Sequence, residues 1–284
     1  MEPIARTSVA EAIEGLELLD VLGEPLQQAA NAAIPEGSRL KDALSGTWLG
    51  HPLHPPLTDV VVGAWTSALL LDLVGDDVEA AADTLVAAGI VAAVPTALSG
   101  LSDWADVRGG SRRVGTVHAL GNTTALTLNV LSLVARRRGD RGRGRLLSAA
   151  AFGVASFSAW LGGHLSFGKG IGVNQTAFDS APEDWTPVLD ADELHDGALT
   201  AAAAGTTPVL LLRRGEHVHA LDDRCSHRGC PLHEGTLDGD TITCGCHGST
   251  FRLDGSVVNG PATASQPRFD ARLSDGKVEI RAAR

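Results

Sequence analysis

Tyrosine is absent from this 284-residue sequence, and aromatic residues make up only 4% of it. Cysteine is scarce as well, and the four cysteines all lie between Cys225 and Cys246. Structural disulfides of a secreted protein would not cluster so tightly, so this spacing favours metal chemistry. Basic residues are in deficit, with a formal net charge of −11. This deficit argues against a nucleic-acid partner, because phosphate binding needs a basic face.

The N-terminal region lacks the basic and then apolar opening of a signal peptide, which predicts that no signal peptide is present. Residues 1–47 instead predict an amphipathic helical region with an acidic side. Its apolar side is formed by Ile13, Leu16, Leu19, Gly23 and Leu26. Acidic faces bind lipid poorly, so we expect this region to pack on the rest of the protein as a solvated helix.

Long apolar runs are concentrated in the first half of the chain, which lifts the mean hydropathy to +0.07. They cover Leu57–Val74, Thr84–Leu101, Val114–Ala135 and Leu146–Leu165. Each is close to the roughly 20 residues that cross a bilayer as a helix. A soluble helical bundle is the alternative, but four such blocks with short polar joints favour a four-span transmembrane bundle over residues 48–167. The protein is therefore predicted to be a multi-pass protein of the cell membrane, with the lipid bilayer as a partner.

The distribution of basic residues does not decide the orientation of these spans. Six arginines lie in the loop 136–145, between the third and fourth spans. Other basic residues lie at the opposite face, namely Arg39, Lys41, Arg108, Arg112 and Arg113. The positive-inside rule therefore assigns no orientation to the bundle. Since no signal peptide is expected, we predict that the C-terminal half faces the cytoplasm.

Four histidines are predicted to lie at one level of the bilayer when the spans are laid antiparallel: His51, His54, His118 and His164. Asp103 and Asn122 lie near the same level. Ionisable groups at membrane depth are costly and mark candidate functional sites. One hypothesis is that two or more of the histidines bind haem b or line a quinone pocket. The other is that they lie at the interface or form hydrogen bonds between helices.

The whole membrane half resembles an uncharacterised family of small bacterial membrane proteins. The matching segments are Trp48-Leu49-Gly50-His51-Pro52-Leu53-His54-Pro55, Gly115-Thr116-Val117-His118-Ala119, Asn122 and Gly162-Gly163-His164-Leu165. The resemblance supports four spans and implies little about activity.

The C-terminal part has the features of a soluble domain of short strands. Residues 168–184 are rich in Gly, Asn, Ser and Pro and predict a linker, followed by a domain at 185–284. Strands are predicted at Thr186–Leu189, Thr207–Leu212, His217–Leu221, Thr241–Cys244 and Lys277–Arg281. The second and third of these predict a hairpin across residues 213–216. The predicted fold class is thus a transmembrane α-bundle followed by an all-β domain of small antiparallel sheets.

Two short motifs carry the chemistry of this domain. Cys225-Ser226-His227 is Cys-x-His, and Cys244-Gly245-Cys246-His247 is Cys-x-x-His. Two cysteines and two histidines would also suit tetrahedral zinc. Zinc sites, however, usually contain Cys-x₂-Cys or His-x₃₋₅-His chelates, which these four residues do not form.

This motif pair resembles the Rieske family, in which a 2Fe-2S cluster is held by two cysteines and two histidines. The resemblance implies that Cys225 and Cys244 bind one iron, and that His227 and His247 bind the other. It also implies that Cys230 and Cys246 form the disulfide found in Rieske subunits of cytochrome b–c complexes. Two free thiols near the site are the alternative for this pair.

The resemblance extends to residues that tune the cluster. Ser249 matches a serine that donates a hydrogen bond to a bridging sulfide, and Gly248 lets the loop fold tightly. Phe251 stands where high-potential members usually have tyrosine, which implies a potential below the upper end of the Rieske range. Pro261 matches the proline loop that covers the cluster, with an ordinary turn as the alternative.

These motifs favour a membrane-anchored one-electron carrier that exchanges electrons with a haem or quinone site in the bundle, or with an unidentified redox partner protein. The alternative is a ferredoxin-like Rieske donor that the membrane half merely anchors. A complete Rieske oxygenase needs a mononuclear iron, usually held by two histidines and a carboxylate. The residues after His247 contain no histidine, which argues against that enzyme.

Overall fold

The computed structural model describes residues 8–283 and divides the chain into two compact units. The first unit contains the chain up to Ala33 together with Leu53–Ile171, and it is helical. The second contains Ile34–Pro52 and the chain from Gly172 onward, and it is rich in β-strand. The predicted fold class is confirmed.

Seven α-helices lie in the described part of the chain. They are α1 Val9–Glu14, α2 Asp20–Ala33, α3 Arg39–Ser45, α4 His54–Val74, α5 Glu79–Ala105, α6 Gly109–Arg137 and α7 Arg141–Gly163. A π-helical turn at His164–Gly168 continues α7. The last four helices contain the four predicted spans and are long and apolar enough to cross a membrane. Only 17–28% of their most apolar windows is buried inside the protein, so most of their apolar surface faces outward, as lipid contact requires.

The four long helices pack closely where small residues face large ones. Helix α4 runs beside α5, and α6 runs beside α7. Val61, Trp65, Ala93 and Ala125 form the buried centre of the bundle. A Cβ atom at Gly89 would lie 2.3 Å from Nε1 of Trp65. The indole therefore fits against α5 only because residue 89 has no side chain, the close approach that membrane helices commonly use.

The N-terminal region is a series of short helices, and the described residues of its first part pack against the long helices. Ser8 caps α1 in a capping box with Glu11, a standard helix start. Ile13 of α1 packs against residues of α6 and α7 in a small buried cluster. Asp20 forms ion pairs with Arg112 at 2.9 Å and Arg113 at 2.6 Å, which fix α2 to the start of α6. Residues 1–7 of the predicted region lie outside the described residues.

Ten strands form two antiparallel sheets in the second unit. They are β1 Thr186–Asp190, β2 Leu199–Ala204, β3 Thr207–Arg214, β4 His217–Asp222, β5 Thr236–Asp238, β6 Thr241–Thr243, β7 Thr250–Arg252, β8 Val257–Asn259, β9 Arg268–Ser274 and β10 Lys277–Ala282. The larger sheet has the order β1-β10-β9-β4-β3-β2, and the smaller has the order β5-β6-β7-β8. The predicted β3–β4 hairpin is confirmed, with Arg214 opposite His217 at its closed end.

Strand β3 is buried on both faces because each face meets a separate core. Leu210 and Leu212 point into a core shared with the cysteines and the smaller sheet. Val209 and Leu211 point into a second core with Phe269 and neighbouring residues of β9 and β10. The period-2 alternation of a strand separates these two sets. The first core is the floor of the candidate metal centre.

The predicted linker at 168–184 is part of the second unit from Gly172 onward. The Gln175 amide donates to the Ser226 carbonyl at 3.0 Å, and the Thr207 hydroxyl donates to the Ser180 carbonyl at 2.7 Å. Residues 34–52 belong to this unit as well, although the sequence assigned 1–47 to one N-terminal region and 48–167 to the bundle. The structure divides the chain into these two compact units, and its division differs from the predicted domain boundaries in the placement of residues 34–52.

Candidate metal centre

The two motif loops have the same backbone hydrogen-bond pattern. The first loop joins β4 to β5, and the second joins β6 to β7. In the first, the Cys225 amide donates to the Cys230 carbonyl and the Gly229 amide to the Cys225 carbonyl, at 2.8 and 2.7 Å. In the second, the Cys244 amide donates to the Ser249 carbonyl and the Gly248 amide to the Cys244 carbonyl, at 2.8 and 3.2 Å.

Each loop turns back at a glycine with a left-handed backbone. The φ angles are 75° at Gly229 and 74° at Gly248. Residues that have a Cβ atom rarely adopt such positive φ angles, whereas glycine does so readily. Four residues lie between the paired ends of each loop. The sequence therefore builds two equivalent finger-like turns, each with a cysteine at its base and a histidine near its tip.

The two loops bring the four predicted ligands together. The imidazole rings of His227 and His247 lie 5.1 Å apart between centroids and are nearly perpendicular, at 84°. Cys225 and Cys244 are buried, with 1% and 2% of their surfaces exposed. Their thiols hydrogen-bond to each other. A sulfur pair thus lies in the core, and an imidazole pair lies beside it toward the loop tips.

A disulfide between Cys230 and Cys246 ties the loops together, with Cα atoms 6.5 Å apart. The predicted pairing is confirmed, and the alternative of two free thiols is excluded. The link holds the two histidine-bearing tips in one arrangement, which keeps the donor set close to the geometry that a metal centre needs.

The electrostatics of the site favour metal binding. Sharing a hydrogen bond with Cys225 lowers the pKa of the Cys244 thiol to about 6, while the same contact and burial raise the pKa of Cys225. A lowered pKa at Cys244 favours the thiolate, which is the form of cysteine that binds a metal cation. Burial, with the His247 imidazole as the second cause, holds the pKa of His227 well below its usual value. His227 is thus kept neutral, the form that binds metal.

The proline loop, which contains Pro261, lies against the second motif loop. The Ala262 amide donates to Ser249 Oγ at 3.0 Å, so the Ser249 hydroxyl hydrogen remains available to another acceptor. Ser249 and Pro261 are buried, and Phe251 is completely buried in the core under the cysteines. The bond between Gly260 and Pro261 is cis.

Gln266 was not predicted from the sequence, and its side chain forms hydrogen bonds with the backbone of the first motif loop and the residues before it. Its side-chain amide donates to the carbonyls of Asp222 and Arg224 at 2.7 and 2.5 Å, and its oxygen accepts from the Ser226 amide at 3.1 Å. Only 2% of Gln266 is exposed. A lone glutamine 19 residues after His247 carries no sequence signal for this contact, because the two positions meet only through the sheet.

The structure brings two of the membrane histidines together. His54 and His118 have ring centroids 6.5 Å apart in an edge-to-face arrangement. Nδ1 of His54 donates to the Thr96 carbonyl at 3.0 Å, and Nδ1 of His118 donates to the Ser158 carbonyl at 2.7 Å. Each bond fixes the tautomer with the proton on Nδ1. Asn122 lies beside this pair, with its amide 3.0 Å from Nε2 of His118.

Glycines on neighbouring helices make room for both rings. A Cβ atom at Gly100 would lie 2.6 Å from Cε1 of His54, and one at Gly162 would lie 3.0 Å from Cε1 of His118. The two imidazoles are thus enclosed between helices, each supported by a backbone carbonyl. Hydrogen bonds between helices are therefore present at both rings.

The other predicted members of this site have contacts of their own. His164 forms a contact with the Glu14 carboxylate at 3.1 Å, and its ring stacks near Trp160. His51 is exposed, belongs to the second unit and has Nδ1 2.9 Å from the Pro52 carbonyl. Asp103 is half-buried in the last turn of α5.

Comparisons with known proteins match the two halves of the chain to two families. Residues 50–175 match the model described as a predicted membrane protein, DUF2231, and residues 184–270 match the Rieske [2Fe-2S] domain. The first of these is the membrane resemblance seen in the sequence. The second covers both motif loops, so the domain holds a 2Fe-2S cluster.

Relatives of the Rieske part span several kinds of protein. Ferredoxin CarAc of Metapseudomonas resinovorans is 32% identical over 98 residues, which cover 34% of this chain and 92% of that protein. The carotenoid phi-ring synthase of Chlorobaculum tepidum is 45% identical over 103 residues, which cover 36% of this chain and 15% of that protein. A solved complex of reduced oxygenase and oxidized ferredoxin in carbazole 1,9a-dioxygenase includes a chain with 30% identity and a TM-score of 0.32, over 35% of this chain and 94% of that chain.

The motif loops and the match to ferredoxin CarAc, which covers 92% of that protein, indicate the same family. Through its C-terminal domain the chain belongs to the Rieske [2Fe-2S] family, and this domain follows a segment that matches the predicted membrane protein family DUF2231.

Proposed function

We propose that the protein is a membrane-anchored one-electron carrier in which Cys225 and Cys244 bind one iron of the cluster, and His227 and His247 bind the other. The observation that carries this proposal is the buried thiol pair beside the imidazole pair, between two disulfide-linked loops. A cluster with two imidazole ligands carries less negative charge than one with four thiolates, so it is reduced more easily.

The residues around the ligands exclude water and fix the donors. Leu232, Ile242 and Phe251 close the apolar side of the site, each with at most 1% of its surface exposed. The disulfide and Gln266 hold the loops before and after electron transfer, which keeps structural rearrangement small. Phe251 cannot donate a hydrogen bond, so we place the potential within the Rieske range of roughly −150 to +300 mV and below its upper end.

The test of the ligand set is electron paramagnetic resonance of the purified, dithionite-reduced protein. We expect the rhombic signal of a mixed-ligand 2Fe-2S cluster, lost in His227→Ala and Cys244→Ala. The control is His195→Ala, an exposed histidine of the same unit, which should keep the signal. A signal of unchanged shape in His227→Ala would contradict the assignment.

We further propose a second redox site at His54 and His118, which bind haem b or face a quinone. Hydrogen bonding of Nδ1 to a backbone carbonyl is the usual support of a metal-bound histidine, with Nε2 directed to the metal. Both histidines have this support. Nε2 of His118 accepts a hydrogen bond from the Asn122 amide at 3.0 Å, so haem binding through His118 requires that this bond is released. The physiological redox partner, whether quinone or protein, would exchange single electrons with the cluster.

The second candidate is a ferredoxin-like donor that the bundle only anchors. It is favoured by the match to a complete ferredoxin, CarAc, which covers only the Rieske part of this chain. A visible spectrum before and after dithionite separates the two. A Soret and α-band on reduction supports haem, whereas the broad bleaching of an iron–sulfur cluster alone leaves a quinone site or a plain anchor.

The proposed location is the cell membrane, with the Rieske domain on the cytoplasmic side. The four long apolar helices support the membrane location. Protease treatment of sealed inside-out and right-side-out vesicles tests the side: cleavage of the Rieske domain only in inside-out vesicles is expected, and cleavage only in right-side-out vesicles would reverse it.

A further inference from the structure

Helix α2 directs its acidic side toward the long helices. Its two carboxylates, Asp20 and Glu24, form ion pairs with Arg112 and Arg113 at 2.6–2.9 Å. The expectation of a solvated helix assumed that this acidic side faces water. Because arginines at the start of α6 pair with both carboxylates, it is the opposite side of α2 that faces away from the bundle.

Two further contacts of the inner side fix the height of α2 along the bundle. The Gln27 side-chain amide donates to the carbonyl of Ala105, the last residue of α5, at 3.0 Å. A Cβ atom at Gly23 would lie 3.1 Å from Thr116 Oγ1 of α6. Leu101, an outward-facing residue of α5, lies about one helical turn before Ala105. Helix α2 is therefore at the level where the lipid-facing surface of α5 ends.

The outer side of α2 is apolar and uncovered. Leu18, in the 3₁₀ turn before α2, has 82% of its surface exposed, and Val21 has 75%. Leu22 and Leu26 are exposed as well. The other exposed residues on this side are Pro25, Gln28, Ala29, Ala32 and Ala33. Gln28 alone among them is polar, whereas a surface helix in water presents mainly polar residues outward. We refer to Leu18, Val21, Leu22 and Leu26 as the outer apolar face.

The position and the charges of α2 indicate which medium covers this face. Helix α2 packs on α5 and α6, two of the four helices that are long and apolar enough to cross a membrane. No lysine or arginine occurs between residues 8 and 33. Electrostatic attraction to anionic headgroups therefore does not hold the helix at the membrane, and apolar contact with lipid must do so.

We propose that α2 and the turn before it lie in the plane of the membrane, with the outer apolar face against lipid acyl chains and the acidic side on the arginines of α6. Helices of this kind sink about 5–10 Å into the boundary between headgroups and acyl chains. The lipid bilayer is thus the partner of the outer apolar face. Since apolar area drives the contact, neutral phosphatidylcholine is sufficient for it.

The test is nitroxide spin labelling of the full-length protein in phosphatidylcholine nanodiscs. Val21→Cys carries the label, since the native cysteines are disulfide-bonded or buried. The measured quantity is the collision rate with oxygen, which concentrates in lipid, divided by that with a water-soluble nickel chelate. We expect this ratio to be about fivefold or more above that of Glu216→Cys, an exposed turn position, and below that of Val91→Cys, an outward position in the middle of α5.

Two results would overturn the proposal. A ratio equal to that of Glu216→Cys would show a helix in contact with water. Low collision rates with both reagents would show that protein covers the outer apolar face, and spin–spin broadening would then identify a second copy of this chain as the cover.

A second pair of variants tests the contribution of apolar contact. Val21→Asp places a charge on the outer apolar face, whereas Asn31→Asp adds the same charge at an exposed position of α2 outside this face. We expect amide hydrogen exchange of α2 in nanodiscs to be about tenfold faster in Val21→Asp, because the helix leaves the lipid, and close to wild type in Asn31→Asp. Equal exchange in the three proteins would contradict the proposal, as would protection of wild-type α2 that requires phosphatidylglycerol.

Discussion

Asp222 ends strand β4 as a completely buried carboxyl group. Its Oδ1 accepts from the Arg224 amide at 2.8 Å, and its side chain meets the Asp179 carboxyl group. Burial, with the Asp179 charge as a further cause, raises the pKa of Asp222 from 3.8 to about 7. The group lies three residues before Cys225, so its protonation bears on the stability of the first motif loop.

The sign of this effect follows from proton binding. Below pH 4 both folded and unfolded chains hold the proton, whereas between pH 4 and 7 only the folded chain does, so the free energy of unfolding falls as pH rises through this window. We expect Asp222→Asn, which keeps an acceptor for the Arg224 amide, to be more stable than wild type above pH 7, by up to about 4 kcal/mol.

Thermal unfolding from pH 4 to pH 8 measures this difference. The Tm of the variant minus that of wild type should increase with pH and level off above pH 7. Asp238→Asn, an exposed carboxyl group at the end of β5, should show no such trend. A difference that does not depend on pH would contradict the raised pKa.

The hydrogen bond between Ser249 and the Ala262 amide leads to a second prediction for a single residue. Ser249→Ala removes the acceptor for the Ala262 amide and the hydroxyl that can donate to cluster sulfur. Loss of one hydrogen bond of about 1–2 kcal/mol to the reduced cluster would lower the potential by about 40–90 mV. Protein-film voltammetry measures the shift, and Ser256→Ala, an exposed-loop serine bonded to Asp254, is the control. An unchanged potential would mean that the hydroxyl does not reach the cluster.

At the scale of elements, helices α4 and α6 are joined by a buried ion pair that no sequence pattern indicated. Arg136 contacts both carboxylate oxygens of Asp72, including Nη1 to Oδ1 at 2.8 Å, and approaches Asp83 at 3.2 Å. Ser132 and Ser148 add hydrogen bonds to the guanidinium. A charge at the bundle interior is tolerated only when it is paired in this way.

Breaking this pair should loosen the bundle. Asp72→Asn removes the nearer of the two carboxylates that pair with the buried arginine, and removal of one partner of such a pair costs about 3 kcal/mol or more. We expect a lower Tm in detergent, measured by the loss of helical circular dichroism. Asp59→Asn, at an exposed position of the same helix, is the matched control. The double variant Asp72→Leu with Arg136→Leu should recover much of the loss, since no charge is then left unpaired.

The long helices could be predicted from sequence patterns, whereas several strands could not, and particular strands show the physical reasons. The four spans were predicted within a few residues because a long apolar run is a property of the segment itself. Strand β2 was missed because Leu199–Ala204 is mostly alanine, which favours helix when its neighbours are unknown. Strands β5, β7 and β8 have three residues each, too few for a periodic pattern, and they exist because the sheet pairs them.

For the whole molecule, the two compact units allow the membrane histidines and the cluster to be tested separately. Each unit has its own buried core. We therefore expect His118→Leu to remove any haem α-band or quinone-dependent turnover while leaving the line shape of the cluster resonance unchanged. Thr124→Ala, an exposed position of α6, should retain both. A wild-type chromophore and wild-type quinone turnover in His118→Leu would favour the anchored ferredoxin.

The sequence by itself determined the resemblance to the Rieske family, because the motifs that carry it are local and their spacing is set by the chemistry that they serve, and this resemblance implied the 2Fe-2S cluster and the disulfide pair that the structure then showed. It also determined the four membrane helices, since lipid imposes length and apolarity on each helix alone. Only the tertiary structure decided which distant residues complete the site. Gln266 at the first loop, Asp42 beside the proline loop, and Asp72 against Arg136 are contacts between segments far apart in the chain. No local pattern marks such residues, because their energies arise from burial and pairing that exist only after folding.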